Sequence, residues 1–273
     1  MGIEASEDKQ LNLDVTRAHG ARIYDYILGG KDNYAPDRDT GNAALQAWPA
    51  LRGTMHANRA FMHRAARFLA TERDIGQFLD IGTGLPATPN LHEVVQAVTP
   101  EARIAYVDND PLILAHARAL MTSTPEGRTT YIDGDLRDPD AILAAPRLRE
   151  TLDLNKPTAL FLIGMLHFIE DDDEALRVAR HVIDALPSGS YVAATIATDD
   201  YAPEPLAKVR DLYHSRGETL QWRTKAQAQQ FFKGLELEEP GLVQIHKWHP
   251  CSVDIGRIND ADIAMYGAVG RKR

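Results

Sequence analysis

An acidic residue and a pair of glycines stand close together at a spacing that suits the binding of a nucleoside. Asp80 is followed by Gly82, Thr83 and Gly84, and Asp108 comes 24 residues after Gly84. Glycine lets the backbone approach a ligand closely and adopt angles that other residues avoid. An acid about 20 residues beyond such a loop commonly accepts hydrogen bonds from ribose hydroxyls. We therefore predict that these residues bind a nucleoside, with Asp108 on the ribose.

Further along the chain, other groups could complete this site. Asn109 follows Asp108 directly, and Asp135 with Leu136 could meet the amino group and the face of an adenine. His167 follows a strongly apolar segment, and histidine is a natural general base near neutral pH. His167 is therefore the candidate catalytic residue, with a place in the pocket wall as its alternative role.

Two cofactors fit these residues. The segment Gly82–Ala87 matches the dinucleotide pattern G-x-G-x-x-A, which indicates NAD. A pyrophosphate, however, needs free amide groups at a helix start just after Gly84, and Pro86 and Pro89 remove two of them. The three carboxylates at successive strand ends would repel a pyrophosphate and attract the sulfonium and ammonium groups of S-adenosylmethionine. The residues favour S-adenosylmethionine and leave NAD as the alternative.

The elements that must position these residues begin after Ile75, where short apolar segments alternate with amphipathic ones. Such alternation predicts an α/β fold with a doubly wound, mostly parallel sheet, here of seven strands, and helices on both faces. The predicted strands are Gln77–Ile81, Arg103–Val107, Thr129–Asp133, Thr158–Met165, Tyr191–Ile196, Leu242–Trp248 and Ala264–Val269, the last two as an antiparallel edge pair. The predicted helices are Leu91–Val98, Leu112–Met121, Ala141–Leu148, Glu174–Leu186, Glu204–His214 and Lys225–Phe232.

The first 75 residues predict a helical N-terminal cap. Apolar spacing suits a short helix over Arg17–Leu28, which the glycine pair after Leu28 would end. Lys31–Arg38 is rich in turn-forming residues, and a longer helix is predicted over Met55–Glu72. The predicted division is a cap over residues 1–75 and a Rossmann-like cofactor-binding domain over residues 76–273.

Four segments together resemble the S-adenosyl methyltransferase family of class I, Rossmann-like methyltransferases. The resemblance runs from about Ala21 to Arg271. It implies the fold, S-adenosylmethionine as the cofactor and a helical addition over the site. The segments that carry it are Ala21–Tyr34 (ARIYDYILGGKDNY), Asn58–Phe61 (NRAF), Phe78–Pro86 (FLDIGTGLP) and Tyr106–Pro111 (YVDNDP).

The resemblance also implies roles for individual residues. The loop after Asp80 would surround the methionine part of the cofactor, and Asn58 with Arg59 would meet its carboxylate. Leu166 with His167 is similar to a Leu-His pair that many small-molecule methyltransferases carry after the fourth strand. The cap residues that would close as a lid over cofactor or substrate are Tyr26, expected on the cofactor, and Lys31, Asp32, Asn33 and Tyr34.

The length, charge and cysteine content limit the class of protein to which the chain can belong. A chain of 273 residues with 44% hydrophobic residues suits one large α/β domain. The formal charge of −9 disfavours nucleic acid or an anionic membrane as the main partner. The only cysteine, Cys251, indicates a reducing, cytoplasmic setting and excludes a zinc site of several thiolates, so no metal is expected. No apolar stretch of a secretory signal is visible at the N-terminus.

We therefore expect a methyltransferase that uses S-adenosylmethionine and acts on a small-molecule acceptor. An NAD(P)-binding oxidoreductase and a non-catalytic protein that binds S-adenosylmethionine are the alternatives. The sequence leaves the acceptor and the oligomeric state open.

Overall fold

The computed structural model describes residues 15–113, 122–251 and 256–273. One mixed sheet runs through this part of the chain, with seven strands in the order β3-β2-β1-β4-β5-β8-β6 and an eighth, β7, also paired with β8. Strands β1 to β5 are parallel, and β8 runs antiparallel to β5. The strands are β1 (Gln77–Ile81), β2 (Arg103–Asp108), β3 (Arg128–Asp133), β4 (Ala159–Leu162), β5 (Tyr191–Ala197), β6 (Leu235–Leu237), β7 (Val243–Gln244) and β8 (Met265–Lys272).

The helices of the described residues precede the sheet or connect its strands. Three of them come before β1, and the others follow β1, β3, β4 and β5. They are α1 (Gly20–Leu28), α2 (Ala35–Ala47), α3 (Leu51–Glu72), α4 (Leu91–Gln96), α5 (Pro139–Ala144), α6 (Pro146–Thr151), α7 (Asp172–Ala185), α8 (Pro203–Ser215) and α9 (Lys225–Gln230). The predicted doubly wound α/β architecture is confirmed.

The strand order decides where a ligand can bind. The chain passes from β1 outward to β2 and β3, and then returns to place β4 on the other side of β1. This reversal puts a crevice above the carboxyl ends of β1 and β4, because neighbouring connections cover opposite faces of the sheet there. In register, Asp80 of β1 lies between Tyr106 of β2 and Phe161 of β4. The end of β1 is therefore the centre of the candidate site.

Alternating residues of the strands supply two separate apolar cores, one on each face of the sheet. In β1, Phe78 packs into the core that α3 and α4 cover, whereas Leu79 packs into the core that α7 covers. Phe61 of α3 is fully buried and meets Trp248 edge-on, with ring centroids 5.4 Å apart. Helix α3 thus belongs to the central core of the sheet, and the predicted boundary at residue 75 stays a prediction.

Helices α1, α2 and α8 form a third apolar cluster beside the sheet. Ile23 and Ile27 of α1 are fully buried there, together with Leu206 and Val209 of α8. Helix α1 ends as predicted at a glycine: Gly29 has φ +88°, a left-handed conformation that favours glycine. The cap is therefore held against the segment that follows β5, far from it in sequence.

Two elements differ from the predictions because their local signals are weak or mixed. The first residues of α2 were expected to belong to a turn over Lys31–Arg38, since Pro36 and Asp37 are common in turns. In the fold the same residues start a helix, with proline in the first turn and a capping box between Tyr34 and Asp37. Strand β6 was not predicted, because three residues are too few to show alternation.

Two predicted strands are shorter than expected. The strand expected over Thr158–Met165 ends at Leu162, because Gly164 has φ +68° and turns the chain into a short 3-10 helix. The strand expected over Leu242–Trp248 pairs only through β7 before a second 3-10 turn begins. An apolar run shows burial and does not by itself distinguish a strand from a buried turn.

Other helix boundaries differ by a few residues from those predicted. The helix expected over Ala141–Leu148 is two helices, α5 and α6, which meet at Pro146. Helix α1 begins at Gly20 instead of Arg17. The helix expected over Leu112–Met121 lies mostly outside the described residues. No helix among the described residues combines the length and the apolar character needed to cross a bilayer.

Replacing Phe61 of α3 with alanine is expected to lower the free energy of unfolding by about 3–5 kcal/mol, because its ring is fully buried and packs against Trp248. Urea unfolding followed by circular dichroism measures the change. Val98→Ala is the matched control, since that side chain is 43% exposed and its loss should change the free energy by less than about 0.5 kcal/mol. Equal effects of the two substitutions would contradict the assignment of α3 to the core.

Candidate cofactor site

A cavity of about 290 Å³ lies at the carboxyl ends of the parallel strands, above the crevice between β1 and β4. Its volume is close to the lower limit of small-molecule sites. Helices α1 and α3 contribute the opposite wall. All predicted cofactor residues except Tyr26 line it, namely Asn58, Arg59, Asp80, Gly82, Thr83, Gly84, Asp108, Asn109, Asp135 and Leu136.

The glycine loop after β1 takes its shape from two left-handed residues. Gly82 has φ +77° and Gly84 has φ +68°. The amides of Gly82 and Thr83 both donate to the carbonyl of Val107, at 2.9 and 3.2 Å, which holds the loop against β2. A Cβ atom on Gly82 would lie 2.8 Å from the Cβ of Met165, so the loop after β4 also requires glycine here. Glycine is needed at both positions for backbone conformation, and at Gly82 for packing as well.

Asp108 joins the first two loops of the site. One carboxylate oxygen accepts the Gly84 amide at 2.9 Å, and the other accepts the Asp110 amide at 3.0 Å. Burial raises the pKa of Asp108, and these two backbone hydrogen bonds act in the opposite direction. Each carboxylate oxygen has a second lone pair, so Asp108 can still accept hydrogen bonds from a ligand.

Asp80 carries a buried carboxylate at the end of β1. The residue is 8% exposed, and its side chain has no hydrogen-bond donor among the described residues. Burial raises the pKa of Asp80 to about 7; the nearby Arg59 lowers it, and Asp108 raises it further. A carboxylate held in this way is stabilised by a positively charged ligand and destabilised by an anionic one.

The second and third loops are joined through Asp135. Its carboxylate accepts the side-chain amide of Asn109 at 2.9 Å and the backbone amide of Arg137 at 2.9 Å. Leu136, next to it, is 2% exposed and supplies an apolar surface to the same wall. A polar group and an apolar face thus stand side by side, as expected for a site that takes a base.

Arg59 of α3 supports the loop that follows Gly84. Its guanidinium donates to the carbonyls of Ala87 and Pro89, the second at 2.8 Å. The preceding residue, Asn58, is 2% exposed and lies in the cavity wall beside Gly164. The pair therefore connects helix α3 to the loops that follow β1 and β4, and its predicted contact with the carboxylate of the cofactor stays a prediction.

The residues predicted as a lid do not line the cavity, and this expectation is corrected. Lys31 and Asp32 lie in the turn after α1, where the amide of Asp32 donates to Asp25 at 3.0 Å. The side chain of Asn33 donates to the same carboxylate at 2.8 Å. The amide of Tyr34 donates to Asp37 at 2.8 Å. Hydrogen bonds within the cap therefore hold this segment away from the site.

Tyr26 also faces away from the cavity. Its hydroxyl donates to the side chain of Asn42 at 2.7 Å, on the side of α1 that packs on α2. The neighbouring Tyr24 and Asp25 line the cavity instead. In an α-helix, side chains two residues apart are rotated by more than half a turn relative to each other about the helix axis. The segment Ala21–Tyr34 therefore does contribute to the cavity, but through Tyr24 and not through Tyr26.

His167 is buried in a 3-10 turn and does not line the cavity. Arg223 fixes this turn, because its guanidinium donates to the carbonyls of Leu166 and Ile169 at 2.9 and 2.7 Å. Burial, and then the charge of Arg223, lower the pKa of His167 to about 3. A neutral imidazole of such low basicity, enclosed by protein, does not suit a general base. The predicted catalytic role is therefore corrected.

The helix after the glycine loop starts later than a pyrophosphate site requires. The expected start was at Thr88-Pro89, but Asn90 is the N-cap, in a capping box with Glu93, and α4 begins at Leu91. The free amides at this helix start do not line the cavity, whose wall ends at Ala87 in this segment. A dinucleotide phosphate bound at the glycine loop would therefore not meet the N-terminus of α4.

Several residues that line the cavity were not predicted as site residues from the sequence. His19 and Gly20 come from the start of α1, and Glu218 and Thr219 come from the turn after α8. The amide of Gly20 donates to Glu218 at 3.3 Å across 198 residues of sequence. Burial raises the pKa of Glu218. No local pattern marks such residues, because only the docking of α8 on the cap brings them together.

The described residues contain no cluster of three or more His, Cys, Asp or Glu side chains that could hold a metal ion. The acidic residues that line the cavity are Asp25, Asp80, Asp108, Asp135 and Glu218.

Comparison with known proteins agrees with this geometry. The family model described as S-adenosyl methyltransferase matches residues 6–273. A DUF574 family protein from Streptomyces avermitilis MA-4680 has a similar structure, with a TM-score of 0.93, 53% identity, and coverage of 95% of this chain and 99% of that one. A putative methyltransferase from Thermobifida fusca YX has a TM-score of 0.88 and 38% identity, with coverage of 98% and 100%. No curated protein matches the chain.

The family match spans nearly the whole chain and includes every segment on which the resemblance rests. It agrees with the acidic cavity and with the late start of α4, both of which disfavour NAD. The chain therefore belongs to the S-adenosyl methyltransferase family, and its cofactor is S-adenosylmethionine.

Proposed function

We propose that this protein is an active enzyme that transfers the methyl group of S-adenosylmethionine to a small molecule. The observation that carries the proposal is the buried carboxylate of Asp80, which lines the cavity without a hydrogen-bond donor among the described residues. A buried charge of this kind needs a partner of opposite charge. The cofactor has an ammonium and a sulfonium group, and when bound it supplies an electrophilic methyl carbon.

The remaining loops suit the other parts of the cofactor. Asp108 has lone pairs left for the ribose hydroxyls, and Asp135 beside Leu136 suits the adenine. Arg59 uses part of its guanidinium on Ala87 and Pro89, and its other N–H groups can meet the carboxylate of the cofactor. These groups support the proposed contacts with the ribose, the adenine and the carboxylate of the cofactor.

The cavity wall near α1 and α3 suits a small acceptor. It combines the apolar residues Leu28, Met62 and Ile163 with Tyr24. Transfer from a sulfonium to an oxygen, nitrogen or carbon nucleophile can proceed mainly by alignment of the two reactants and exclusion of water. This mechanism is consistent with the loss of His167 as a candidate base. The excess of carboxylates in the cavity argues against a nucleic-acid acceptor.

The cellular setting is part of the same proposal. Cys251, the only cysteine of the chain, is a free and exposed thiol, which supports a reducing cytoplasm.

Calorimetric titration with S-adenosylmethionine, S-adenosylhomocysteine and NAD tests the cofactor, and transfer of a labelled methyl group to a pool of metabolites tests the activity. We expect the first two ligands to bind with roughly micromolar affinity, NAD to give no heat, and label to enter a small molecule. Binding without any transfer would instead support the non-catalytic alternative. Binding of NAD alone would contradict the proposal.

Replacing Asp108 with alanine is expected to weaken the binding of S-adenosylhomocysteine by about 1–3 kcal/mol, because the ribose loses its acceptor and the Gly84 amide loses its partner. Asp211→Ala is the matched control, since that carboxylate is exposed on α8. Calorimetry measures the affinities, and thermal unfolding verifies that both variants fold. Unchanged affinity in a folded Asp108→Ala variant would contradict the assigned ribose contact.

The affinity for S-adenosylhomocysteine is expected to fall about tenfold between pH 8 and pH 6. The pKa of Asp80 is about 7 in the free protein, so the carboxylate is mostly ionised at pH 8 and mostly protonated at pH 6. The ammonium of the ligand binds the ionised form, and binding below pH 7 should release a proton. Calorimetry in buffers of different ionisation enthalpy measures this release.

The matched control for the pH dependence is Asp80→Asn, which removes the titrating group and keeps its shape. This variant should bind more weakly at pH 8 and lose most of the change between pH 8 and pH 6. A pH dependence that survives in Asp80→Asn would assign the titration to another group of the cavity, such as Asp108 or Glu218.

A further inference from the structure

The amide of Asn58 is a polar group whose hydrogen bonding is incomplete without a ligand. The residue lines the cavity and is 2% exposed. Its Nδ2 donates to the hydroxyl oxygen of Tyr24 at 3.3 Å, whereas its Oδ1 is buried with no donor among the described residues. An unsatisfied buried acceptor costs free energy, so a residue of this kind calls for an explanation.

Tyr24 determines which way the amide of Asn58 points. The hydroxyl of Tyr24 has a single proton, which it donates to the carbonyl of Met55 at 3.0 Å. Its oxygen can therefore only accept a hydrogen bond from Asn58, and the group that faces it must be Nδ2. The atom left without a partner is therefore the amide oxygen, which resolves the two-fold ambiguity of an asparagine side chain.

The place of Asn58 limits the ligand group that it can meet. A Cβ atom on Gly164, at the end of β4, would lie 2.9 Å from Nδ2, so the amide packs directly on this turn. The next residue in α3, Arg59, is close enough to Asp80 of β1 for its charge to act on that carboxylate. Asn58 therefore lies over the crevice between β1 and β4, at the end of the cavity that holds Asp80.

An amide oxygen without a donor can accept a hydrogen bond from an N–H or O–H group, whereas it repels a carboxylate. Asn58 was predicted to meet the carboxylate of the cofactor, and the orientation of its amide opposes this pairing. Among the donors of the cofactor, the ribose hydroxyls are matched by Asp108 at the end of β2, and the adenine amino group by Asp135 in the loop after β3. The α-ammonium is the donor that remains for the end of the cavity beside Asp80.

We propose that the amide oxygen of Asn58 accepts a hydrogen bond from the α-ammonium of the cofactor, with Asp80 as the counterion and Tyr24 as the residue that orients the amide. The inference rests on the proposed assignment of this cavity as the cofactor site. It makes Asn58 a residue that selects for the amino-acid part of the cofactor.

Three ligands separate the possible contacts. S-adenosylhomocysteine has both the ammonium and the carboxylate, 5′-deoxy-5′-(3-aminopropylthio)adenosine keeps the amine without the carboxylate, and 5′-methylthioadenosine lacks both. Each is titrated by calorimetry into the full-length wild type and into Asn58→Leu, which keeps the approximate shape without the acceptor. The matched control is Asn42→Leu, since Asn42 also bonds a tyrosine hydroxyl in the cap but does not line the cavity.

In Asn58→Leu we expect the two amine-bearing ligands to bind about tenfold more weakly or worse, because a hydrogen bond to a charged group is lost. 5′-Methylthioadenosine should bind within about twofold of its wild-type affinity, and Asn42→Leu should change none of the three affinities. Asn58→Asp retains an acceptor oxygen and should restore the binding of both amines at pH 8.

Equal weakening of all three ligands would mean that Asn58 only supports the fold of the site, and the proposal would be wrong. Weakening of S-adenosylhomocysteine alone would assign Asn58 to the carboxylate and overturn it as well. Unchanged affinities in a folded Asn58→Leu variant would also refute it. If the wild type binds none of these ligands, the failure lies with the proposed cofactor site, which distinguishes the two levels of the hypothesis.

Discussion

A continuous chain of buried polar contacts connects the N-terminal cap to the loops that line the cavity. Asp37 is fully buried and accepts hydrogen bonds from the amide of His19 and from Arg22, the latter at 3.0 Å. Arg22 also comes within 3.9 Å of Asp110, whose amide donates to Asp108. Asp108 in turn holds Gly84. Breaking one member of such a buried network leaves uncompensated charge, so the position of the cap and the shape of the site depend on each other.

The same acidic residues that suit the cofactor are unfavourable in the free protein. Asp80 and Asp108 are both buried, and burial raises the pKa of each. Buried carboxylates disfavour the folded state unless hydrogen bonds or cations compensate. Backbone amides compensate Asp108, whereas the compensation for Asp80 is left largely to Arg59 and to the ligand. The site is thus arranged for a cationic ligand at some cost in stability, a pattern common at functional sites.

The surroundings of the cavity also bear on the chemistry of transfer. The turn that contains His167 is held by Arg223, which keeps the imidazole inside the protein and its pKa low. The carboxylates of Asp25 and Glu218 line the cavity from the cap and from the turn after α8. Asp25 reaches the cavity through the docking of α1, and Glu218 through the docking of α8. The positions of Asp25 and Glu218 therefore depend on the packing of helices, whereas Asp80 and Asp108 are placed by the ends of β1 and β2.

The amino-acid sequence by itself determined the sheet, its helices on both faces and the strand-end residues Asp80, Gly82, Gly84 and Asp108. These features follow from local rules, because strand ends in a parallel sheet meet at one edge and glycine is required where the backbone turns left-handed. Only the tertiary structure decided that Tyr24 instead of Tyr26 enters the cavity, that residues 31–34 fold back on the cap, and that Glu218 reaches Gly20 across 198 residues. Those outcomes depend on long-range packing and buried hydrogen bonds, which leave no periodic trace in the sequence.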